Sequence, residues 1–147
     1  MVKSILIVCI GNICRSPMAE ALLINQLKKD HPEVVVKSAG LAAMIDQPAD
    51  QIAQDLMMLR GLDISSHRAR QVTSEILANI DLILPMTTRQ QEQIVSKFPS
   101  LFSKVHRLGK WDGYDIPDPY RRPRGAFEHC LVLVEQGITS WYQRLWN

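Results

Sequence analysis

The sequence predicts an α/β fold in which a parallel β-sheet is covered by helices on both faces. Short apolar runs alternate along the chain with longer segments whose apolar residues recur at helical spacing. The apolar runs are continuous, which is typical of strands buried on both faces of a parallel sheet. Because parallel strands need crossover connections, the helices between them are expected to cover the sheet.

The first βα unit is the most clearly marked part of the chain. Residues 4–9 form an apolar run rich in β-branched side chains, and the Gly11-Asn12 pair ends it. Ser16 offers a hydroxyl suited to a helix N-cap, and Pro17 suits the first helical position. Apolar residues then recur at helical spacing until the His31-Pro32 pair ends the helix. This order predicts a strand, a tight loop and a helix.

The later elements repeat the same alternation. In chain order we predict a strand at 34–39, a helix at 49–59, a short helix at 73–78, a strand at 81–84, a helix at 87–98, a candidate fourth strand at 104–108, a polar loop at 111–124 and a final amphipathic helix from residue 125. No repeat or linker-like tract interrupts them, so we interpret residues 1–147 as a single domain.

Composition and charge exclude several classes of protein. A hydrophobic fraction of 46% and a charged fraction of 22% are those of a soluble globular chain. The net charge of +2 gives no general argument for a nucleic-acid partner or an acidic membrane surface. The N-terminal apolar run is too short to span a membrane, and no signal-peptide pattern follows it. We therefore expect a cytoplasmic protein with no nucleic-acid partner and no membrane insertion.

The three cysteines are Cys9, Cys14 and Cys130. An odd number in a chain without an export signal predicts reduced thiols and not a disulfide framework. Zinc binding is disfavoured because no CxxC pair exists and the four histidines are scattered. We expect neither a metal nor another cofactor, so the cysteines serve either packing or chemistry.

The loop between the first strand and the first helix has the pattern of an anion cradle. Its residues are Cys9, Ile10, Gly11, Asn12, Ile13, Cys14, Arg15 and Ser16. Inward-pointing backbone N–H groups and the following helix N-terminus attract an anion, and the fork of Arg15 matches two phosphate oxygens. The same positive field would stabilise a thiolate at Cys9. Taken alone, a cysteine at a strand end is more often a buried packing residue.

Residues Val8–Glu20 resemble the signature of the low-molecular-weight protein tyrosine phosphatases. The likeness extends to Ser38-Ala39-Gly40, to Asp81–Leu84 with Met86, to Ile116–Tyr120 and to Ala126-Phe127. The chain is most similar to the bacterial branch that serves tyrosine kinases of capsule and exopolysaccharide export. The resemblance implies a four-stranded parallel sheet flanked by helices on both faces, with a phosphate-binding loop between the first strand and the first helix.

The resemblance also implies roles for particular residues. Cys9 would form a phosphocysteine intermediate, Arg15 would bind the phosphate, and Asp118 would act as general acid and then as general base. Ser16 would donate a hydrogen bond to the Cys9 sulfur, and Asn12 would brace the loop. Without the resemblance, Asp118 between two prolines is an ordinary turn residue.

Three further site residues follow from the resemblance with open alternatives. Tyr120 would form one wall of a slot for a phenyl ring, or else pack on the surface. Leu41 would line the slot or belong to the core. Cys14 would form a reversible disulfide with oxidised Cys9, or simply pack. The expected partner is a phosphotyrosine protein, such as the tail of a bacterial tyrosine autokinase, and the chain itself would be a monomer or weak dimer.

Two groups of basic residues lie outside the loop. His67, Arg68 and Arg70 are interpreted as a solvated face. Three arginines follow Asp118, namely Arg121, Arg122 and Arg124, and would edge the site with positive charge. They would steer an acidic phosphopeptide or play no part in substrate choice.

Other functions on the same fold are less favoured by the residues. A thioredoxin-coupled arsenate reductase needs relay cysteines, yet residues 15–129 contain none. A phosphoarginine phosphatase carries threonine where this chain has Ile13, and an apolar side chain suits a phenyl ring better than a guanidinium. A phosphotyrosine-binding module without catalysis would not need a cysteine, an arginine and an aspartate together.

Overall fold

The computed structural model describes residues 1–146, and within them three strands form a parallel sheet. The strands are β1 (Ser4–Cys9), β2 (Val35–Gly40) and β3 (Leu82–Pro85), in the order β2-β1-β3. Cys9 at the end of β1 pairs with Gly40 at the end of β2. The central strand therefore delivers Cys9 to the carboxyl edge of the sheet, where ligands bind in folds of this kind. Asn147, the last residue of the predicted domain, lies outside the described residues.

Five α-helices connect and follow the strands in these residues. They are α1 (Arg15–Leu27), α2 (Gln51–Met58), α3 (Ser74–Leu77), α4 (Thr88–Lys97) and α5 (Arg124–Trp146). Short 3₁₀ turns occupy Pro99–Lys104 and Lys110–Asp112. The side chains of Asp50, Thr73 and Thr87 cap α2, α3 and α4 by accepting hydrogen bonds from first-turn N–H groups. Within residues 1–146, no helix combines the length and the apolar character that a bilayer span requires.

The prediction of a four-stranded sheet is wrong. In the candidate strand at 104–108, Val105 forms one isolated parallel bridge with Ile83. The amides of His106 and Leu108 donate to carbonyl oxygens along β3, at 3.0 and 2.8 Å. A 3₁₀ turn occupies the chain up to Lys104 and another begins directly after Gly109. The extended stretch between these turns is too short to form a ladder, although it lies along the edge of β3.

The start of α1 also differs from the prediction. The helix begins at Arg15, and its N-cap residue is Cys14, which makes no side-chain cap. Ser16 therefore lies inside the first turn and not at the N-cap. Its hydroxyl faces the end of β1 instead of the helix N–H groups, because Cys9 and Asn12 both contact it there.

Two apolar cores lie on the two faces of the sheet. Alternate residues of β1 point to opposite sides: Ile5 and Ile7 join one core, whereas Leu6 and Val8 join the other. Helices α1, α2 and α5 cover the first face, and α3 and α4 contribute to the second. Each fully buried side chain of this kind stabilises the fold by roughly 1.5–3 kcal/mol. The strand that carries Cys9 is thus packed between two apolar cores.

Candidate active site

The Cys9–Ser16 loop folds tightly around the sulfur atom of Cys9. Asn12 has a positive φ of 60°, a conformation that asparagine tolerates better than most residues, and this lets the chain reverse. The backbone N–H of Asn12 consequently donates to the Cys9 Sγ at 3.3 Å. The loop therefore folds back onto the side chain of its own first residue, Cys9.

Ser16 supplies a second contact to the same sulfur. Its Oγ lies 2.9 Å from the Cys9 Sγ. The Asn12 Nδ2 donates to that oxygen at 2.7 Å, so the hydroxyl hydrogen of Ser16 is free to point at the sulfur. Two polar groups of the loop, the Asn12 N–H and the Ser16 hydroxyl, thus converge on the Cys9 sulfur.

Asn12 braces the loop through both polar atoms of its side-chain amide. Its Nδ2 also donates to the Ser38 Oγ at 3.0 Å, and its Oδ1 accepts the Arg70 backbone N–H at 3.0 Å. The Nε2 of His67 lies 2.7 Å from the backbone carbonyl oxygen of Asn12. Asn12 is completely buried. Its polar atoms are therefore committed to holding the loop against β2 and the segment at 67–70.

The residues that make these contacts were only partly expected. His67 and Arg70 were interpreted as a solvated face, yet both bond to Asn12, and the Arg70 Nε also donates to the Ser38 carbonyl oxygen at 3.0 Å. The Ser38 hydroxyl in turn donates to the Glu20 carboxylate. The one signal in the sequence was the likeness at Ser38-Ala39-Gly40, which marks the strand end but not its partners.

Arg15 lies almost wholly inside the protein, with 3% of its side chain exposed. Its Nη1 donates to the Ile116 carbonyl oxygen at 2.9 Å, and its Nη2 lies 3.5 Å from the Asp118 Oδ2. Its buried Nε has no hydrogen-bond partner among residues 1–146. A buried guanidinium donor without a partner costs free energy, and a bound oxyanion would remove that cost.

Asp118 comes to this place from a distant part of the chain. It lies between Pro117 and Pro119 in the irregular segment 113–123, here called the Asp118 loop. Its side chain is 46% exposed, and its Oδ1 accepts the Tyr120 backbone N–H at 3.1 Å. The carboxylate thus faces both solvent and the buried guanidinium.

A pocket of about 230 Å³ joins these groups. It is lined by Cys9, Ile10, Gly11, Ile13, Cys14, Arg15, Ala42, Met44, Asp118 and Tyr120. Cys9, Arg15, Asp118 and Tyr120, all named from the sequence, meet there. Asn12 and Ser16 lie behind the pocket wall, where they support the loop. We call this cavity the catalytic pocket, after the residues in its lining that the sequence predicts to be catalytic.

Ala42 and Met44 were not foreseen as lining residues, and Leu41 lies outside the lining. The segment after β2 is held against the loop by three backbone bonds, each at 3.0 Å. The N–H groups of Leu41, Ala42 and Met44 donate to the carbonyl oxygens of Cys9, Ile10 and Gly11 in that order. Gly40 permits this approach, because a Cβ there would lie 2.4 Å from the Ile10 oxygen. The sequence carries no direct signal for these lining residues. Only the strand register, which pairs Cys9 with Gly40, shows that the segment after β2 lies beside the loop.

The thiols of the other two cysteines, Cys14 and Cys130, have raised pKa values. Burial raises the pKa of the Cys14 thiol far above its ordinary value, and the charges of Asp50 and Asp118 act in the same direction. Burial also raises the pKa of Cys130, to about 12. Both are therefore neutral thiols near pH 7. A disulfide between Cys14 and oxidised Cys9 stays a prediction.

Comparisons with known proteins agree on one family. The family model described as low molecular weight phosphotyrosine protein phosphatase matches residues 4–147. A probable low molecular weight protein-tyrosine-phosphatase EpsP from Ralstonia nicotianae is 46% identical over 99% of this chain and 97% of its own. The tyrosine phosphatase amsI of Erwinia amylovora superposes with a TM-score of 0.93 at 38% identity, over 100% of this chain and 95% of its own. Wzb of Vibrio vulnificus, solved with benzylphosphonate, gives 0.92 at 36% identity, over 99% and 100%.

Proposed function

Because the chain belongs to the low molecular weight phosphotyrosine protein phosphatases, we propose that it hydrolyses phosphotyrosine in proteins through a phosphocysteine intermediate on Cys9. The family resemblance found in the sequence is confirmed by the comparisons, and with it the enzyme class. The observation that carries the mechanism is the meeting of Cys9, Arg15 and Asp118 in one pocket.

In the first step the phosphate enters the Cys9–Ser16 loop. Backbone N–H groups of the loop and the guanidinium of Arg15 bind its oxygens. The Cys9 thiolate attacks phosphorus opposite the phenolic oxygen, so an S–P bond forms as the P–O bond breaks. Asp118 donates its proton to the leaving phenolate, whose conjugate acid has a pKa of about 10.

In the second step water replaces the cysteine. The Asp118 carboxylate, now deprotonated, takes a proton from a water molecule as that water attacks phosphorus. The S–P bond breaks, and inorganic phosphate and the Cys9 thiolate are released. The contacts of Ser16 and Asn12 with the sulfur support Cys9 both as nucleophile and as leaving group.

The position of Arg15 supports a role in both steps. Its Nη1 is anchored on the Ile116 carbonyl oxygen, which fixes the plane of the guanidinium. Its Nη2 lies beside Asp118, so one side chain links the phosphate loop to the acid. Groups that are already oriented stabilise developing charge without reorganising during the reaction.

Tyrosine is favoured as the phosphorylated residue by the pocket walls. Ile13, Met44 and Tyr120 give the entrance an apolar character suited to a phenyl ring. The Vibrio vulnificus relative was solved with benzylphosphonate, in which a phenyl ring carries a phosphonate group. Residues 15–129 contain no relay cysteine for arsenate reduction, and Ile13 offers no polar group to a phosphoarginine guanidinium.

The proposed partner is a bacterial tyrosine kinase with a phosphorylated tail. The motif resembles the branch that serves capsule and exopolysaccharide export, and the relatives include proteins named EpsP and Wzb. Removal of phosphate from such a tail would counteract the kinase. We place this reaction in the cytoplasm, with the enzyme as a monomer or weak dimer.

A comparison of three phosphopeptides on one preparation tests this function. The peptides share one sequence and carry phosphotyrosine, phosphoserine or phosphoarginine. We expect rapid release of phosphate from phosphotyrosine, because only a long planar side chain reaches the bottom of the pocket and offers a phenolate leaving group. The Cys9→Ser variant should release none. Faster hydrolysis of phosphoarginine, or full activity in Cys9→Ser, would contradict the proposal.

A further inference from the structure

A second cavity lies next to the catalytic pocket. We call it the apolar groove, and it occupies about 370 Å³ between the segment after β2 and helix α4. Its apolar lining consists of Ile10, Leu41, Ala42, Val72, Ile94 and Phe98. Most of these side chains are half-buried, so the groove presents an open apolar surface to solvent. An exposed apolar concavity of this kind marks a binding site more often than chance.

The groove and the catalytic pocket share two walls. Ile10 and Ala42 line both cavities. Ile10 follows Cys9 directly in the phosphate loop, and the Ala42 N–H donates to the Ile10 carbonyl oxygen at 3.0 Å. The two cavities are therefore separated by one thin, hydrogen-bonded ridge.

The ridge is held in place by Gln71. Its Nε2 donates to the Leu41 carbonyl oxygen at 2.7 Å, and its Oε1 accepts the Ala43 N–H at 2.9 Å. One side chain thus satisfies two backbone groups of the segment after β2. The groove is formed before any ligand arrives, which lowers the entropy lost on binding.

We propose that the apolar groove binds an aliphatic or aromatic side chain of the substrate, one or two residues from the phosphotyrosine. The proposal rests on the proposed function, since it requires a phosphotyrosine peptide in the catalytic pocket. An extended peptide advances about 3.3 Å per residue, so a neighbouring side chain can cross the ridge while the phosphotyrosine stays seated. The groove would select substrates by sequence, whereas the catalytic pocket recognises the phosphotyrosine alone.

The polar edge of the groove agrees with a peptide ligand. Gln93 and Lys97 of α4 lie at its rim and are exposed. The Lys97 Nζ lies 5.7 Å from the centre of the Phe98 ring. An apolar floor with a polar, positively charged rim fits an apolar side chain whose backbone stays at the surface.

A peptide scan tests the groove directly. Phosphotyrosine peptides in a serine background carry leucine at one of the two positions before or the two positions after the phosphotyrosine. We expect leucine at one of these positions to raise kcat/KM about tenfold over serine, the usual gain from filling an apolar pocket. Hydrolysis of p-nitrophenyl phosphate serves as the reference because this substrate cannot reach the groove.

Blocking the groove should remove this preference. Gln93→Trp places a bulky ring at its rim, on an exposed helix position where the fold is not disturbed. The variant should hydrolyse leucine and serine peptides at equal rates while keeping its rate on p-nitrophenyl phosphate. Glu92→Trp is the control, since Glu92 is exposed on the same helix, forms no ion pair in residues 1–146 and does not line the groove.

The outcomes separate the groove from the catalytic function. Equal rates for all flanking residues in the unmodified protein, or an unchanged leucine preference in Gln93→Trp, would overturn the groove proposal alone. Failure to hydrolyse every phosphotyrosine peptide and p-nitrophenyl phosphate would overturn the proposed function, and the groove proposal with it.

Discussion

The Cys9–Ser16 loop and the Asp118 loop hold their functional groups in opposite ways. In the first, Asn12 and Ser16 are completely buried, and the Ser38 hydroxyl and the Arg70 backbone N–H, from two other segments, fasten the turn. In the second, Asp118 is nearly half exposed, accepts one backbone hydrogen bond and lies 3.5 Å from the Arg15 Nη2. The proposed nucleophile, Cys9, lies in a loop fixed by many contacts, whereas the proposed acid, Asp118, is held by few.

This difference fits the tasks that we propose for the two groups. The phosphate loop must bind a compact anion whose shape never varies, so a rigid loop can bind it without having to adapt. The acid must reach a leaving oxygen and later a water molecule, so a carboxylate on an open loop can serve both positions. Arg15 connects the two regions through its contacts with Ile116 and Asp118.

After the complete loss expected for Cys9→Ser, the largest predicted effect of a substitution comes from Arg15→Lys, at the junction of the two regions. Lysine keeps the charge but loses the planar fork and the separate contacts to Ile116 and Asp118. We expect kcat/KM for p-nitrophenyl phosphate to fall by roughly 10²–10³-fold, as when an oriented donor to a developing charge is removed. Arg122→Lys, on an exposed residue, is the matched control. A loss below tenfold would show that charge alone is sufficient.

The next effect is expected from Asp118→Asn, which keeps the shape of the side chain but cannot donate a proton as an acid. The rate on phenyl phosphate should fall by about 10²-fold or more, since its leaving group needs protonation. The loss on p-nitrophenyl phosphate should be smaller, because that phenolate is more stable. Rates measured over a series of substituted phenyl phosphates show how the loss depends on the pKa of the leaving phenol. An equal loss for every leaving group would remove Asp118 from the acid role.

Asn12→Ala tests the rigid region through stability. Loss of the Asn12 amide removes one of the two partners of the Ser38 hydroxyl, leaves the Arg70 N–H without its partner and puts alanine at a positive φ. We expect the free energy of unfolding to fall by about 2–4 kcal/mol in urea denaturation. Asp118→Asn should change it by at most about 1 kcal/mol, because it weakens a single, partly exposed ion pair with Arg15. Similar losses in the two variants would erase the contrast between the regions.

The smallest effect is expected from Cys14→Ser. Burial keeps the pKa of the Cys14 thiol well above its usual range, so at pH 7 it is protonated and cannot act as a nucleophile. Exchange for serine, of similar volume, should lower kcat/KM less than about tenfold. Iodoacetate should still inactivate this variant through Cys9. Abolished activity would give Cys14 a chemical role.

The contrast between the two regions also explains what the sequence could predict. The strand, loop and helix around Cys9 are contiguous, so apolar periodicity and the cysteine–arginine spacing were sufficient to propose them. Asp118 is brought to the pocket by tertiary structure, and only the family resemblance pointed to it. The hydrogen bonds of His67 and Arg70 to Asn12 come from an irregular segment. Its sequence has no apolar periodicity from which these contacts could be predicted.

The errors have physical causes of the same type. The candidate strand at 104–108 has the right residues for pairing, but turns on both sides shorten it to a single bridge. Ser16 has the chemistry of an N-cap, yet the sulfur of Cys9 and the amide of Asn12 hold its hydroxyl. Ala42 and Met44 line the catalytic pocket because the register places the end of β2 beside Cys9. Local sequence specifies preferences, and tertiary contacts decide between them.

Trapping of the covalent intermediate tests the central claim most directly. The protein is mixed with a phosphotyrosine peptide, quenched rapidly in acid, digested and analysed by mass spectrometry. We predict one phosphoryl group on the peptide that contains Cys9, with a larger trapped fraction in Asp118→Asn if hydrolysis of the intermediate slows more than its formation. A phosphoryl group on another residue, or turnover with no phosphorylated protein at any quench time, would contradict the account.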